Sequence, residues 1–162
     1  MDTYKEVKIM KWRSKDIDVY NQASEYVDTA VVPLIPISWG QNKKNIVLKG
    51  EFPQLVSDEL ERQLKGRVVL FPPITYLESE KDEEILNRME VLFEELKESD
   101  MPYPVFITSD VRWSGSPGLQ EHIVTIPPVP LEHMEEEYQR EVISEQVKHL
   151  LQIVTKKWQN SF

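Results

Sequence analysis

Two spacings of apolar residues divide the chain. Short runs that are apolar almost throughout occur at Thr29–Ser38 (TAVVPLIPIS), Val68–Phe71 (VVLF), Pro104–Ser109 (PVFITS) and Ile123–Ile126 (IVTI). Such runs have the composition of strands buried on both faces. Between them, apolar residues recur every third or fourth position, the period of a helix with one buried side. Ile17, Tyr20, Ala23 and Val27 predict a first helix, opened by Ser14 as its N-cap. Val56, Leu60 and Leu64 predict a second that begins near Pro53, with Gly66 at its C-terminal cap. Ile85, Met89, Leu92, Phe93 and Leu96 predict a third, with Ser79 and Asp82 in capping-box spacing ahead of it. A long helix from about Met134 to Trp158 closes the chain, and Ile46-Val47-Leu48 reads as a further short strand after a polar loop.

Strands alternating with amphipathic helices predict an α/β fold: a layered, mainly parallel sheet of about four strands with flanking helices. The last strand has two readings, because no helix separates Ser109 from Ile123. The intervening loop serves either a parallel crossover or a wide antiparallel hairpin, and antiparallel is the simpler expectation. The runs VVPLIPI, VVLFPPI and IVTIPPV share one shape, in which proline stops the strand and sets the exit direction. Pro33 and Pro36 lack a ladder donor, so the strand at Thr29–Ser38 is expected to be short or to lie on an edge in its second half. Residues 1–9 read as a lead-in to a single domain over 10–162, since only Val7 and Ile9 are aliphatic there and the charges show no helical face.

Composition narrows the chemistry. The 162 residues contain no cysteine, which excludes disulfides, thiolate metal sites and a cysteine nucleophile. The formal net charge is −9; residues 1–50 carry eight Lys/Arg against six Asp/Glu, so the acidity lies beyond them. An acidic surface repels phosphates, and nucleic acid is not an expected partner. No apolar stretch is long enough to span a bilayer, and the N-terminus carries charges where a signal peptide needs its apolar region, so the default location is cytoplasmic.

No phosphate-cradling loop, dinucleotide fingerprint, HExxH or GxSxG occurs, and no cofactor is implied. His122 and His133 each follow a glutamate, and Glu137 lies one helical turn beyond His133, but two ligands do not make a metal site; surface polar residues explain them better. The candidate ligand site combines two loops expected beyond strand C-terminal ends, where open α/β sheets bind ligands. One carries Trp39, Gln41 and Lys43, the other Asp110, Arg112 and Trp113. Together they offer two indoles, an Arg fork, a carboxylate and ammonium charge, suited to an anionic or planar ligand. The competing structural reading has Asp110 capping a turn, Arg112 paired with an acid and both indoles packed as covers.

The terminal helix raises a separate expectation. At 100° per residue, Met134, Tyr138 and Val142 form one stripe, and Ile143, Val147, Leu150, Leu151, Val154 and Trp158 another that faces nearly the opposite way. Either the helix bends near Ser144, or the first stripe meets a partner protein or a second copy.

The segments KWRSKDIDVYNQASEYVDTAVVPLIPISWG, VVLFPPITYL and VFITSDVRW resemble the YpiF-like family of Bacillus proteins, over nearly the whole chain from Met10. The resemblance implies a bacterial protein of similar length in a family of unknown function, and carries no catalytic or binding residue onto any position. VVPLIPI followed by LVSDELERQLKGR and a strand has a looser likeness to the small α/β domains at the N-terminus of TolB-type proteins, which bears on the fold alone. The functional expectation is a non-enzymatic protein-interaction or adaptor domain; the alternative is a small-molecule-binding domain using the loops around Trp39 and Trp113.

Overall fold

The computed structural model describes residues 9–114 and 119–160. Its elements run α1 (Ser14–Ala23), β1 (Thr29–Ile37), α2 (Lys43–Gln63), β2 (Val68–Leu70), β3 (Ile74–Leu77), α3 (Asp82–Glu98), β4 (Tyr103–Thr108), β5 (Ile123–Thr125) and α4 (Glu136–Gln159). Every strand pairing is parallel, in the order β2-β1-β4-β5, with β3 also on β1. The run VVLFPPITYL thus makes two strands, β2 and β3, where the apolar pattern showed one.

The prolines explain that division. Along a strand, the peptide groups of alternate residues point to opposite neighbours. Phe71 N–H donates to the Val31 carbonyl and Glu78 N–H to that of Ile37, so Val31, Pro33, Ile35 and Ile37 all address the β2–β3 side. Pro33, which has no N–H to give, faces the gap where Pro72 and Pro73 interrupt that side. Pro36 addresses the other side, beyond the last pairing of β1 with β4 at Pro33 and Ile107. The second half of β1 therefore pairs only with β3, an edge in that sense, although the strand itself is central and runs nine residues.

Alternation along the strands builds two cores, one on each face of the sheet. Ala30, Val32, Leu34, Val69 and Phe106 meet Ile85 and Met89 of α3 and the half-buried Val19 and Tyr20 of α1. Val31, Val68, Val105, Ile107 and Val124 meet Phe52, Val56 and Leu60 of α2 and Val147, Leu150 and Val154 of α4. The result is a three-layer α/β/α domain.

Several expectations are corrected. Ile46-Val47-Leu48 is not a strand but the first turns of α2, which starts ten residues before Pro53 and passes through it. Ser14 is the first residue inside α1, and Asp16 in its first turn ties down the segment ahead of the helix: its Oδ2 accepts the Lys11 N–H at 3.0 Å and the Arg13 Nε–H at 2.7 Å. Burial opposes ionisation of Asp16, but these bonds outweigh it and hold its carboxyl below the usual range. β5 is parallel to β4, not antiparallel. Its crossover uses two 3-10 turns, Val111–Trp113 and Leu119–His122, in place of a helix, with Trp113 and Leu119 buried in the α3-side core. His122 is buried rather than on the surface, and its Nδ1 donates to the Pro104 carbonyl at 2.9 Å, tying the returning chain to the start of β4.

α4 is one uninterrupted helix, with no break at Ser144. Met134 sits in the turn before it, where the Gln139 amide bonds the Leu131 and Met134 carbonyls, so Met134 does not belong to the helical wheel. Met134 and Val142 both pack, half-buried, against the α2–α4 core, which leaves Tyr138 as the exposed member of the first stripe. Of the lead-in, residues 1–8 lie outside the described residues; Ile9 is half-buried, and Met10 is buried, its carbonyl accepting the Leu70 N–H at the outer side of β2.

Candidate functional site

Because the strands are parallel, the loops after β1 and β4 leave the same end of the sheet. The two candidate loops differ in what they do there. In the β4 loop, Asp110 caps the 3-10 turn by accepting the Arg112 N–H at 3.1 Å, and its other oxygen accepts the Tyr76 hydroxyl at 2.8 Å. That hydroxyl in turn accepts the Trp113 indole N–H at 2.9 Å, with the two rings edge to face at 5.6 Å. Trp113 is 1% exposed. Burial, with the nearby Asp110 charge, pushes the Tyr76 hydroxyl up, so it stays protonated and donating.

The Arg112 guanidinium is equally committed. Nε and Nη2 hold Asp82 at 2.8 and 2.7 Å, Nη2 reaches the Glu80 carbonyl at 2.6 Å, and Nη1 the Glu78 carbonyl at 3.3 Å. Its plane lies near the Tyr76 and Trp113 rings. Arg112 therefore staples the end of β4 to the turn between β3 and α3. An anion at this fork would have to displace a carboxylate already in place.

The β1 loop is free of such ties. Trp39 is 82% exposed, with the Lys43 ammonium 5.2 Å from its ring centroid, and Gln41 is exposed at the turn. The structure thus gathers Asp110, Arg112 and Trp113 into one internal network, and places Trp39, Gln41 and Lys43 on an open surface.

What the sequence reasoning missed is the ground beside Trp39. Ile37, Trp39, Val47 and Leu55 are all exposed and line one hollow of about 480 Å³ between α2 and the end of β1. Gln54 and Leu55 also line a second hollow, of about 490 Å³, whose other wall is Trp12 with Phe71, Pro72 and Pro73. The two form one apolar trough along α2. A contiguous apolar surface of this kind is unusual for a monomer, unlike apolar residues scattered singly. The missing signal was the misread of residues 46–48: as a strand they alternate inward and outward, whereas on a helix Val47, Gln54 and Leu55 share the outer face.

A larger hollow, about 810 Å³, lies on α4 around Tyr138 and Val142, with Glu141, Glu145 and Lys148 among the residues that line it. The free edge of β3 is closed: Leu77 N–H donates to Glu80 Oε1 at 2.8 Å, Arg88 donates to the Thr75 carbonyl at 2.9 Å, and the two side chains pair at 3.0 Å. Together they occupy the ladder positions that an added strand would use.

Glu61 is the notable buried charge. Its Oε2 accepts the Met10 N–H at 2.9 Å, while Oε1 has no hydrogen-bond partner among the described residues. Burial raises its pKa, against the pull of Met10 N–H and Lys11. A raised carboxyl pKa means that its contribution to stability is greatest below the ordinary glutamate range and is lost as pH rises through the folded value. Among the described residues no cluster of three or more His, Asp or Glu is placed to hold a metal, and no helix is long and apolar enough to cross a membrane.

Residues 18–158 match the family described as "Protein of unknown function (DUF2487)". A protein of Bacillus subtilis (strain 168) named "Uncharacterized protein YpiF" is 42% identical over 149 residues, a span of 92% of this chain and 98% of that protein. No solved structure gives a significant match.

Proposed function

The chain belongs to the DUF2487 family, and from that premise we propose that it is a protein-interaction domain whose docking surface is the apolar trough between α2 and the C-terminal end of β1. The observation that carries the reading is the position of Trp39. A side chain of this size left 82% exposed gains nothing for the fold, and it stands beside a hollow walled by Ile37, Val47 and Leu55. Exposed tryptophan next to an apolar hollow is the composition of an interface centre, where aromatic anchors contribute most of the binding energy.

The small-ligand reading finds less support. Its arginine fork, its carboxylate and its second indole are engaged inside the molecule, and the trough lacks the convergent polar groups that orient a bound metabolite. Helix-in-groove or side-chain docking suits the trough better than strand addition, since the β3 edge is closed by Glu80 and Arg88.

A photo-crosslinking residue placed at Val47 in the host cell tests the reading. Discrete protein adducts are expected from position 47 and not from the exposed control Val91 on α3. Equal, diffuse labelling from both positions overturns it.

A further inference from the structure

The trough and its surroundings also point to what fills it. Resting on the docking reading above, we infer that the occupant is a second copy of this chain, seated through the same patch across a twofold axis near Val47. Three observations lead there.

The first is that the patch carries both a knob and a hole. Trp39 projects at one margin, and the hollow beside Val47 and Leu55 lies open next to it. In a contact between identical surfaces, each copy must offer what the other receives. An exposed indole beside an apolar hollow meets that condition.

The second is charge. The outward stripe of α2 is basic at its start, with Lys43 and Lys44, and acidic further on, with Glu51 and Asp58. When two such helices lie antiparallel about Val47, positions equally far from it on either side come together. Lys43 of each copy then meets Glu51 of the other, while Trp39, in the loop ahead of α2, stands beside the hollow that Leu55 helps to line. A partner of one predominant charge would meet like charge at one end of this stripe; a copy of the same stripe, reversed, does not.

The third is the helix dipole. The first turn of α2 contains no acidic residue and two lysines, the wrong sign for the positive end of a helix. Lys44 is offset within the chain by Glu132 at 2.6 Å, and Lys43 by the Trp39 ring alone among its described contacts. The carboxylate of Glu51 from a second copy supplies the missing counter-charge at that end.

Sedimentation equilibrium on the full chain, across a concentration series, tests the inference, with circular dichroism to show that each variant is folded. The wild type is expected to dimerise, and Val47→Asp to weaken the dimer by roughly 30-fold or more. Lys43→Glu and Glu51→Lys are each expected to weaken it roughly tenfold, because each brings like charges together twice across the axis. The double variant Lys43→Glu with Glu51→Lys exchanges the two signs and is expected to recover the wild-type constant to within about threefold. A monomer at every concentration overturns the proposal, as does a dimer that ignores Val47→Asp and is lost with Tyr138→Glu on α4. So does a double variant no better than its singles. A monomer whose position-47 crosslinker captures a different protein overturns the second copy and leaves the docking reading standing; a monomer with no adduct sinks both.

Discussion

Replacing Trp113 with alanine is expected to lower the unfolding free energy by about 3–5 kcal/mol, whereas the same replacement at Trp39 changes it by less than about 0.5 kcal/mol. The two indoles are alike in sequence, each a few residues past a strand. Trp113 fills the α3-side core and donates to Tyr76, so its removal leaves a large cavity and takes from the Tyr76 hydroxyl one of its two partners. Trp39 is 82% exposed and bonds nothing through its indole N–H among the described residues. Urea titration of both variants at low protein concentration gives the comparison. Equal losses would mean that Trp39 is a structural cover, and the docking reading would lose its main support.

Gly50→Ala is the second large effect, and it reverses the usual rule for helices. Glycine inside a helix normally costs about 1 kcal/mol relative to alanine. Here a Cβ at position 50 would stand 2.5 Å from Cγ2 of Ile35. That methyl sits on a strand and branches at Cβ, so it has no free rotation with which to withdraw. Overpacking of this kind costs about 1–3 kcal/mol, and set against the helix gain the expected net result is a loss of up to about 2 kcal/mol. In an Ile35→Ala background the clash is gone, and Gly50→Ala is expected to be neutral or to stabilise by up to about 1 kcal/mol. A double-mutant cycle by urea unfolding checks the sign. No coupling between the two positions would show that α2 does not lie this close to β1.

These positions also show where the sequence was legible. Buried strands on both faces, the helix of Ile85, Met89 and Leu96, and the long terminal helix follow from periodicity, because there the apolar residues repeat with one period. Residues 46–48 were not legible for a physical reason: three consecutive aliphatic residues have no period of their own, and Pro53 nearby suggested a helix start rather than a helix interior. The direction of β5 was hidden because its crossover is held by single contacts, Trp113 to Tyr76 and His122 to Pro104, that no local pattern encodes. The loop chemistry divided in the same way. Asp110, Arg112 and Trp113 have the residue types of a ligand site, but their partners Tyr76, Asp82 and the Glu80 carbonyl lie about thirty residues away in sequence and are brought up by the fold alone. The trough beside Trp39 depends on α2 beginning at Lys43, and so was lost with the misread strand.

Carbene footprinting of the surface, read residue by residue, tests the docking surface most directly. The protein is labelled once purified and dilute, and once concentrated in native extract of its own host, where a second copy or another protein can fill the trough. The account predicts that labelling of Trp39, Val47 and Leu55 falls several-fold in the extract, while the exposed Val91 on α3 and Tyr138 on α4 are labelled equally in both. Unchanged labelling at Trp39, Val47 and Leu55, with protection appearing at Tyr138 instead, would contradict it.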